Sequence, residues 1–194
     1  MVNIDLVKQL RKETGVSVSD CKKALEEAKG NIEEAREILR KWGKDFASKK
    51  VGREANQGIV DAYIHPNSKI GVIVQLHCET DFVAKSKEFK KLAHELCLQI
   101  AAMSPLYLKA EDIPEEFIDG EKKIYQEQLK DSGKPQNIVD QVIEGKLKKY
   151  KEEVSLFSQT WVKDETKTIK DLIAEYIAKL GENIIIKKFT RYEI

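Results

Sequence analysis

Residues 1–40 place apolar side chains at the three- and four-residue steps that are typical of short amphipathic helices. Two polar pairs indicate where helices begin. Ser17 with Asp20, and Asn31 with Glu34, have the spacing of an N-cap residue and the third residue of a helix. The pattern predicts three short helices that form a small bundle, which is marginal on its own because it buries little surface.

The hydrophobic pattern changes in the next part of the chain. Residues 58–64 and 69–78 are rich in β-branched and apolar side chains, and the turn-forming residues 65–68 separate them. Residues 86–103 return to helical spacing, and residues 184–192 read as a closing strand. These segments predict an α+β core in which helices pack on a three-stranded antiparallel sheet.

Two long, strongly charged helices are expected at about residues 121–153, with Ser132-Gly133-Lys134-Pro135 between them. The second helix has only a narrow apolar stripe, which suits a helical hairpin that protrudes from the core. The acidic residues 111–121 predict an exposed connection that leads into the hairpin. Further on, Thr168 and Asp171 have the spacing of a capping pair for a last helix.

Charge and composition limit the classes of partner. The 194 residues are 41% hydrophobic and 35% charged, and the formal net charge of +1 favours neither nucleic acid nor a membrane surface. Residues 40–53 are an exception, because six basic side chains stand there against Asp45 alone. A solvated helix extension and tether is the favoured interpretation, and phosphate binding is the other. We expect a bundle with a basic linker at 1–53 and a core domain at 54–194.

One group of cysteines and histidines is a possible zinc site. His77 and Cys78 end the second predicted strand, and His94 and Cys97 share a helical face. However, Cys97 lies on an apolar stripe, and adjacent strand residues point to opposite faces. We expect no metal and no cofactor. With no signal peptide, no long apolar stretch and no Cys-x-x-Cys pair, the sequence predicts a soluble cytoplasmic protein with reduced thiols.

The sequence also lacks the common catalytic motifs. No glycine-rich loop follows a strand, and neither Gly-x-Ser-x-Gly nor His-Glu-x-x-His occurs. The residue pattern therefore favours a binding protein over an enzyme, with no direct nucleotide binding.

Residues 79–85 join the second strand pattern to the helix that follows. Neither pattern requires an aromatic ring beside a carboxylate there, as Phe82 and Asp81 provide. An ordinary phenylalanine would pack into the core. The heptapeptide Glu-Thr-Asp-Phe-Val-Ala-Lys, however, resembles the Thr-Asp-Phe-Val-Ala signature of bacterial elongation factor Ts, the nucleotide exchange factor for elongation factor Tu.

Other segments resemble the same family in the same order along essentially the whole chain. They are residues 10–15, 20–25, 132–135, 142–147, 161–164, 181–184 and 191–193. The N-terminal bundle also resembles a ubiquitin-associated-type domain. One loop departs from the family, which commonly reads Thr-Gly-Ala-Gly-Met-Met-Asp-Cys there. Val18 and Ser19 replace the apolar pair that the resemblance places against the partner, and they offer a smaller, more polar contact.

The resemblance implies a guanine nucleotide exchange factor that performs no covalent chemistry. It implies that Asp81 and Phe82 insert between two helices of elongation factor Tu, and that Thr80 and Val83 hold the corner that presents them. Displacement of those helices would move Mg²⁺ ligands and the phosphate loop, and so weaken GDP binding.

The chain resembles the short form of the factor, which has room for one three-stranded sheet. This implies a homodimer that engages two partner molecules, and unpaired strand edges are compatible with it. Two other interpretations remain open: an adaptor whose bundle recognises peptides or ubiquitin, and a nucleic-acid-binding protein that uses the basic segment.

Overall fold

The computed structural model describes residues 3–130, 133 and 135–194. The helices are α1 (Ile4–Thr14), α2 (Val18–Glu27), α3 (Ile32–Lys50), α4 (Asp81–Lys85), α5 (Lys87–Met103), α6 (Glu115–Leu129), α7 (Gln136–Val154) and α8 (Ile169–Leu180). The strands are β1 (Gln57–Ile64), β2 (Ile70–Cys78), β3 (Thr160–Trp161), β4 (Asp164–Thr168) and β5 (Ile185–Glu193). Two 3₁₀ turns cover Ala110–Asp112 and Leu156–Ser158.

Helices α1 to α3 form the predicted bundle, and the predicted caps are present. The Ser17 side chain accepts a hydrogen bond from the backbone N–H of Asp20, and the Asn31 side chain accepts from the N–H groups of Glu33 and Glu34. The three helices share a buried cluster of apolar side chains, which consists of Val7, Leu10, Cys21, Ala24, Leu25, Ala28, Ala35, Ile38 and Leu39.

Helix α3 continues past the bundle, so the basic segment is helical as far as Lys50. Its last turns pack on α8, where a side chain at Gly43 would contact Ala178. Ala47 is buried in the main core. The bundle is therefore joined to the rest of the molecule by a packed helix end.

The predicted three-stranded antiparallel sheet is confirmed, with β2 in the centre and β1 and β5 at the edges. Inward side chains of β2, among them Val72, Val74 and Leu76, pack beneath α5. Helices α5 and α8 supply most of the remaining core residues, which include Phe89, Leu92, Leu96, Ile100, Ile169, Ile173 and Ile177. The fold class is α+β, as predicted.

A small hairpin of β3 and β4 was not predicted. Its strands are short and polar, so they lack the alternation of apolar residues that identifies a half-buried strand.

Helices α6 and α7 form the antiparallel helical hairpin. Lys146 Nζ donates to Gln128 Oε1 at 3.0 Å and lies 5.0 Å from the centre of the Tyr125 ring. Helix α6 has no buried residue, and α7 buries only Val139 and Ile143. Helix α6 begins at Glu115, so part of the segment predicted as an exposed connection is helical. Of the predicted separator, residues 132 and 134 lie outside the described residues.

Most of the buried apolar side chains in the described part of the chain form two clusters, one inside the bundle and one between the sheet, α5 and α8. The two clusters support a bundle and a core domain. Ala47, in the last turns of α3, belongs to the core cluster, so the clusters do not place the boundary at residue 53, which remains a proposal. Over the part of the chain that the structure describes, every helix is too short or too polar to cross a membrane.

Candidate partner-binding site

The corner between β2 and α5 presents an aromatic side chain to solvent. The Thr80 side chain caps α4 by accepting from the backbone N–H of Val83 at 3.4 Å. Ala84 is buried and Val83 packs against the core, so one side of the short helix is anchored. Phe82 lies on the other side with 82% of its surface exposed. The ordinary expectation that Phe82 would pack into the core is therefore wrong.

Asp81 starts α4 next to Phe82. Its carboxylate accepts a hydrogen bond from Lys85 Nζ at 2.6 Å, and this bond lowers the pKa of Asp81 below its ordinary value. The side chain is about half exposed, with 48% of its surface accessible. An exposed ion pair contributes little stability, so a partner donor can replace Lys85 at small cost.

The corner is tied to a loop that is distant in sequence. The backbone N–H of Thr80 donates to Glu182 Oε2 at 2.9 Å, and its hydroxyl donates to Glu182 Oε1 at 2.6 Å. In the other direction, the backbone N–H of Asn183 donates to Glu79 Oε1 at 2.7 Å. Residues 181–184 resemble a segment of the family, but the sequence assigns Glu182 no role, because no local pattern relates it to Thr80.

The buried side chain of Cys78 is hydrogen-bonded to the corner. Its buried Sγ lies 3.1 Å from the carbonyl oxygen of Thr80 and donates to it. Burial, followed by the nearby carboxylate of Glu182, raises the pKa of Cys78 to about 11. Since the thiolate is the reactive form, this cysteine is a structural residue and not a nucleophile.

The second predicted contact region lies at the start of α2. Val18 is the first residue of that helix and is 50% exposed, and Ser19 beside it is also exposed. The resemblance predicts a partner contact at both residues, and their exposure is compatible with that role.

The end of α8 adjoins both predicted contact regions. Gly15, in the loop before α2, has a φ of +70°, and a Cβ there would lie 2.6 Å from the side chain of Lys179. Lys179 Nζ bonds Glu88 at the start of α5 at 2.8 Å. Glu182, just after the end of α8, bonds Thr80. The fold therefore brings the two predicted contact regions to one end of α8. The sequence did not predict this, because the two regions are far apart along the chain.

Of the four residues in the possible zinc site, His77 and Cys78 have other hydrogen-bond partners. His77 Nδ1 lies 2.9 Å from the carbonyl oxygen of Ala55, and its Nε2 lies 2.8 Å from Gln75 Nε2. Burial, followed by the charge of Asp61, raises the pKa of the Cys97 thiol to about 12. Among the described residues, no group of three or more His, Cys, Asp or Glu side chains could hold a metal ion.

Several cations of the basic segment are engaged within the protein. Arg40 and Lys44 both bond the carboxylate of Asp171, at 3.3 and 2.7 Å. The Lys50 ammonium lies 5.1 Å from the centre of the Phe46 ring. The ion pairs with Asp171 join α3 to α8, and the contact between Lys50 and Phe46 lies within the last turns of α3. Both favour a structural role for the segment.

Residues 3–194 match the family model described as "Elongation factor TS". The chain belongs to this family. Relatives named elongation factor Ts include one from Thermotoga petrophila, which is 56% identical over 193 residues that cover 100% of this chain and 96% of the relative. Others come from Thermosipho melanesiensis, 51% identical with 100% and 99% covered, and from Coprothermobacter proteolyticus, 50% identical with 100% and 98% covered. As a member of the elongation factor Ts family, the protein is a translation elongation factor.

Proposed function

We propose that this protein is the cytoplasmic guanine nucleotide exchange factor of elongation factor Tu. It binds the GDP complex of that partner and promotes GDP release without covalent chemistry. The observation that carries the proposal is the exposed Phe82 beside Asp81, on a capped corner that is anchored to the core. Family membership supplies the partner class.

Phe82 acts as an apolar wedge in this mechanism. Its side chain is removed from water when it enters the space between two helices of the partner, and that burial supplies the driving force. Asp81 leaves Lys85 and accepts a hydrogen bond from a backbone amide or a side-chain donor of the partner. The displaced helices carry Mg²⁺ ligands and the phosphate loop with them, so GDP binds more weakly.

The two binding events are linked thermodynamically. If the factor weakens GDP binding by some ratio, GDP weakens binding of the factor by the same ratio. A ternary complex therefore releases GDP and then accepts GTP, which in turn releases the factor. The exchange rate rises, and the final nucleotide equilibrium does not change.

The N-terminal bundle makes a second contact through Val18 and Ser19. The packing of α3 on α8, with Lys179 close to Gly15, sets the direction in which both regions face the partner. Once one contact has formed, the other becomes intramolecular, which raises the effective concentration of Phe82 and Asp81 at their binding site on the partner. The small side chains at 18 and 19 make this the weaker of the two contacts.

A homodimer completes the proposed assembly, with two factor chains and two partner molecules. One face of the sheet is covered by α5, and the opposite face exposes apolar side chains. Val60, Ile64, Ile73 and Tyr192 on that face are each 48 to 69% exposed. Pairing of two such faces would remove them from water, as obligate dimer interfaces do.

The decisive experiment measures release of fluorescent GDP from elongation factor Tu with catalytic amounts of this protein. We expect faster release at substoichiometric concentration and the same final amount of bound nucleotide. A folded sample that does not accelerate release would contradict the proposal and favour an adaptor function. RNA retention that falls steeply with salt would instead favour nucleic-acid binding.

A further inference from the structure

Helix α4 is too short to hold Phe82 in place by itself. It has five residues, Asp81–Lys85, and forming a single helical turn is unfavourable because several backbone dihedrals are fixed for one hydrogen bond. Phe82 itself is exposed and has little packing to orient it. The direction in which the aromatic ring points therefore depends on how firmly the residue before the helix is held.

Thr80 is that residue, and Glu182 binds two of its donors. Both carboxylate oxygens of Glu182 are used, one for the backbone N–H and one for the hydroxyl. Hydrogen bonds to an ionised acceptor are about twice as strong as those between neutral groups. Cys78 donates to the carbonyl oxygen of Thr80, so each polar group of Thr80 has a partner.

The position of Glu182 is itself determined by the fold. Gly181 ends α8 in the left-handed conformation, with a φ of +77°, and turns the chain towards the corner. Asn183 then bonds Glu79 through its N–H, and its side-chain amide donates to the carbonyl oxygen of Arg53 at 2.8 Å. Glu182 is thus held on a loop that is bonded both to the end of β2 and to the chain that follows α3.

We propose that Glu182 is a positioning residue for nucleotide exchange. It holds Thr80, and through Thr80 it fixes the first turn of α4 and the direction of Phe82 before the partner binds. A group that is already oriented for binding loses less conformational entropy in the complex. This inference rests on the proposed exchange function, because its effect on rate is defined only if the protein accelerates GDP release.

The first test needs no partner. In Glu182→Gln the side chain keeps one acceptor and presents an NH₂ group to the second donor. We expect amide hydrogen exchange at Thr80 and Val83 to become about tenfold faster, since a hydrogen bond to a charged group is lost. The thermal unfolding midpoint and exchange in α5 should stay close to those of the unchanged protein. Glu116→Gln, at an exposed glutamate in the first turn of α6, is the matched control.

The second test measures GDP release as a function of factor concentration. We expect Glu182→Gln to lower the maximal release rate about tenfold, the factor that one such hydrogen bond represents. Thr80→Val removes the hydroxyl partner and should lower the rate similarly. The double variant should lose less than the product of the two single losses, because both changes act on the hydrogen bond between the Thr80 hydroxyl and Glu182.

These outcomes separate the inference from the proposed function. Failure of the unchanged protein to accelerate GDP release would overturn both. If the unchanged protein is active, a folded Glu182→Gln variant with an unaltered maximal rate would overturn the positioning role alone. Fully additive losses in the double variant would also overturn it, since Glu182 and Thr80 would then act independently.

Discussion

At the scale of single residues, the corner shows how an exposed aromatic side chain can be recognised as functional. A lone exposed phenylalanine needs no explanation, because folded proteins expose much apolar surface. Phe82 differs because the residues around it are fixed. Thr80 is bonded to Glu182, and Ala84 is buried two positions further on. A well-ordered support for a side chain that packs on nothing is typical of a binding surface.

Replacement of Phe82 by alanine should leave the free energy of unfolding close to that of the unchanged protein, because an exposed ring contributes little to the core. We expect a loss of about 2–4 kcal/mol in stabilisation of the exchange transition state, as for a buried interface aromatic. GDP-release kinetics measure this loss, and urea unfolding measures stability.

Phe117→Ala is the matched control, since Phe117 on α6 is also exposed and lies outside the proposed contact regions. An unfolded Phe82→Ala protein would show that Phe82 supports the core. A folded variant with normal exchange would remove the ring from the mechanism.

At the scale of elements, the packing of α3 on α8 decides where the bundle sits. Asp171 is central to this contact, because it accepts from both Arg40 and Lys44 and also caps the start of α8. Burial would raise the pKa of Asp171, but the hydrogen bonds from Lys44 and Thr168 outweigh it and hold the pKa below its ordinary value. The sequence predicted the capping role of Asp171. It did not reveal the pairing with α3, because those residues are more than a hundred positions away.

Asp171→Asn should lower the free energy of unfolding by about 2–3 kcal/mol at neutral pH, since two cations lose a partly buried partner. The pKa of Asp171 is lower in the folded protein than in the unfolded chain. The stabilisation is therefore complete above about pH 4 and disappears as the pH falls through the folded-state pKa.

Urea unfolding between pH 3 and pH 8 measures this effect, with Asp119→Asn on the exposed surface of α6 as the control. The difference between the unchanged protein and Asp171→Asn should narrow at acid pH. A difference that stays constant down to pH 3 would show that the carboxylate charge is not the cause.

At the scale of the whole molecule, the three-stranded sheet has one face covered by a helix and one open face. Helix α5 covers the side that carries Val72, Val74 and Leu76. The other side presents Ile73 at the centre of the sheet, directly between Ala62 of β1 and Thr190 of β5. The open apolar face of the three-stranded sheet supports the proposed homodimer.

Ile73→Asp should convert the proposed dimer into a monomer, because it places a charge at the centre of a face that must be removed from water. Sedimentation equilibrium should give twice the 22.2 kDa of one chain for the unchanged protein and a single-chain mass for the variant. Ile124→Asp, at an exposed position on α6, should remain a dimer. A monomeric unchanged protein would contradict the proposed assembly.

The sequence alone determined the features that depend on near neighbours. Helical and strand periodicities, the caps at Ser17, Asn31 and Thr168, and the heptapeptide at the corner all involve residues within a few positions of one another. The α+β class followed from them. The spacing of residues did not predict β3 and β4, because these polar strands lack alternating apolar and polar side chains.

Only the tertiary structure decided the features that depend on distant pairs. It exposed Phe82, bonded Glu182 to Thr80 across 102 positions, and brought Gly15 and the corner to the same end of α8. Such contacts form only when the whole core is buried and distant segments are packed together. They therefore cannot be predicted from the pattern of neighbouring residues.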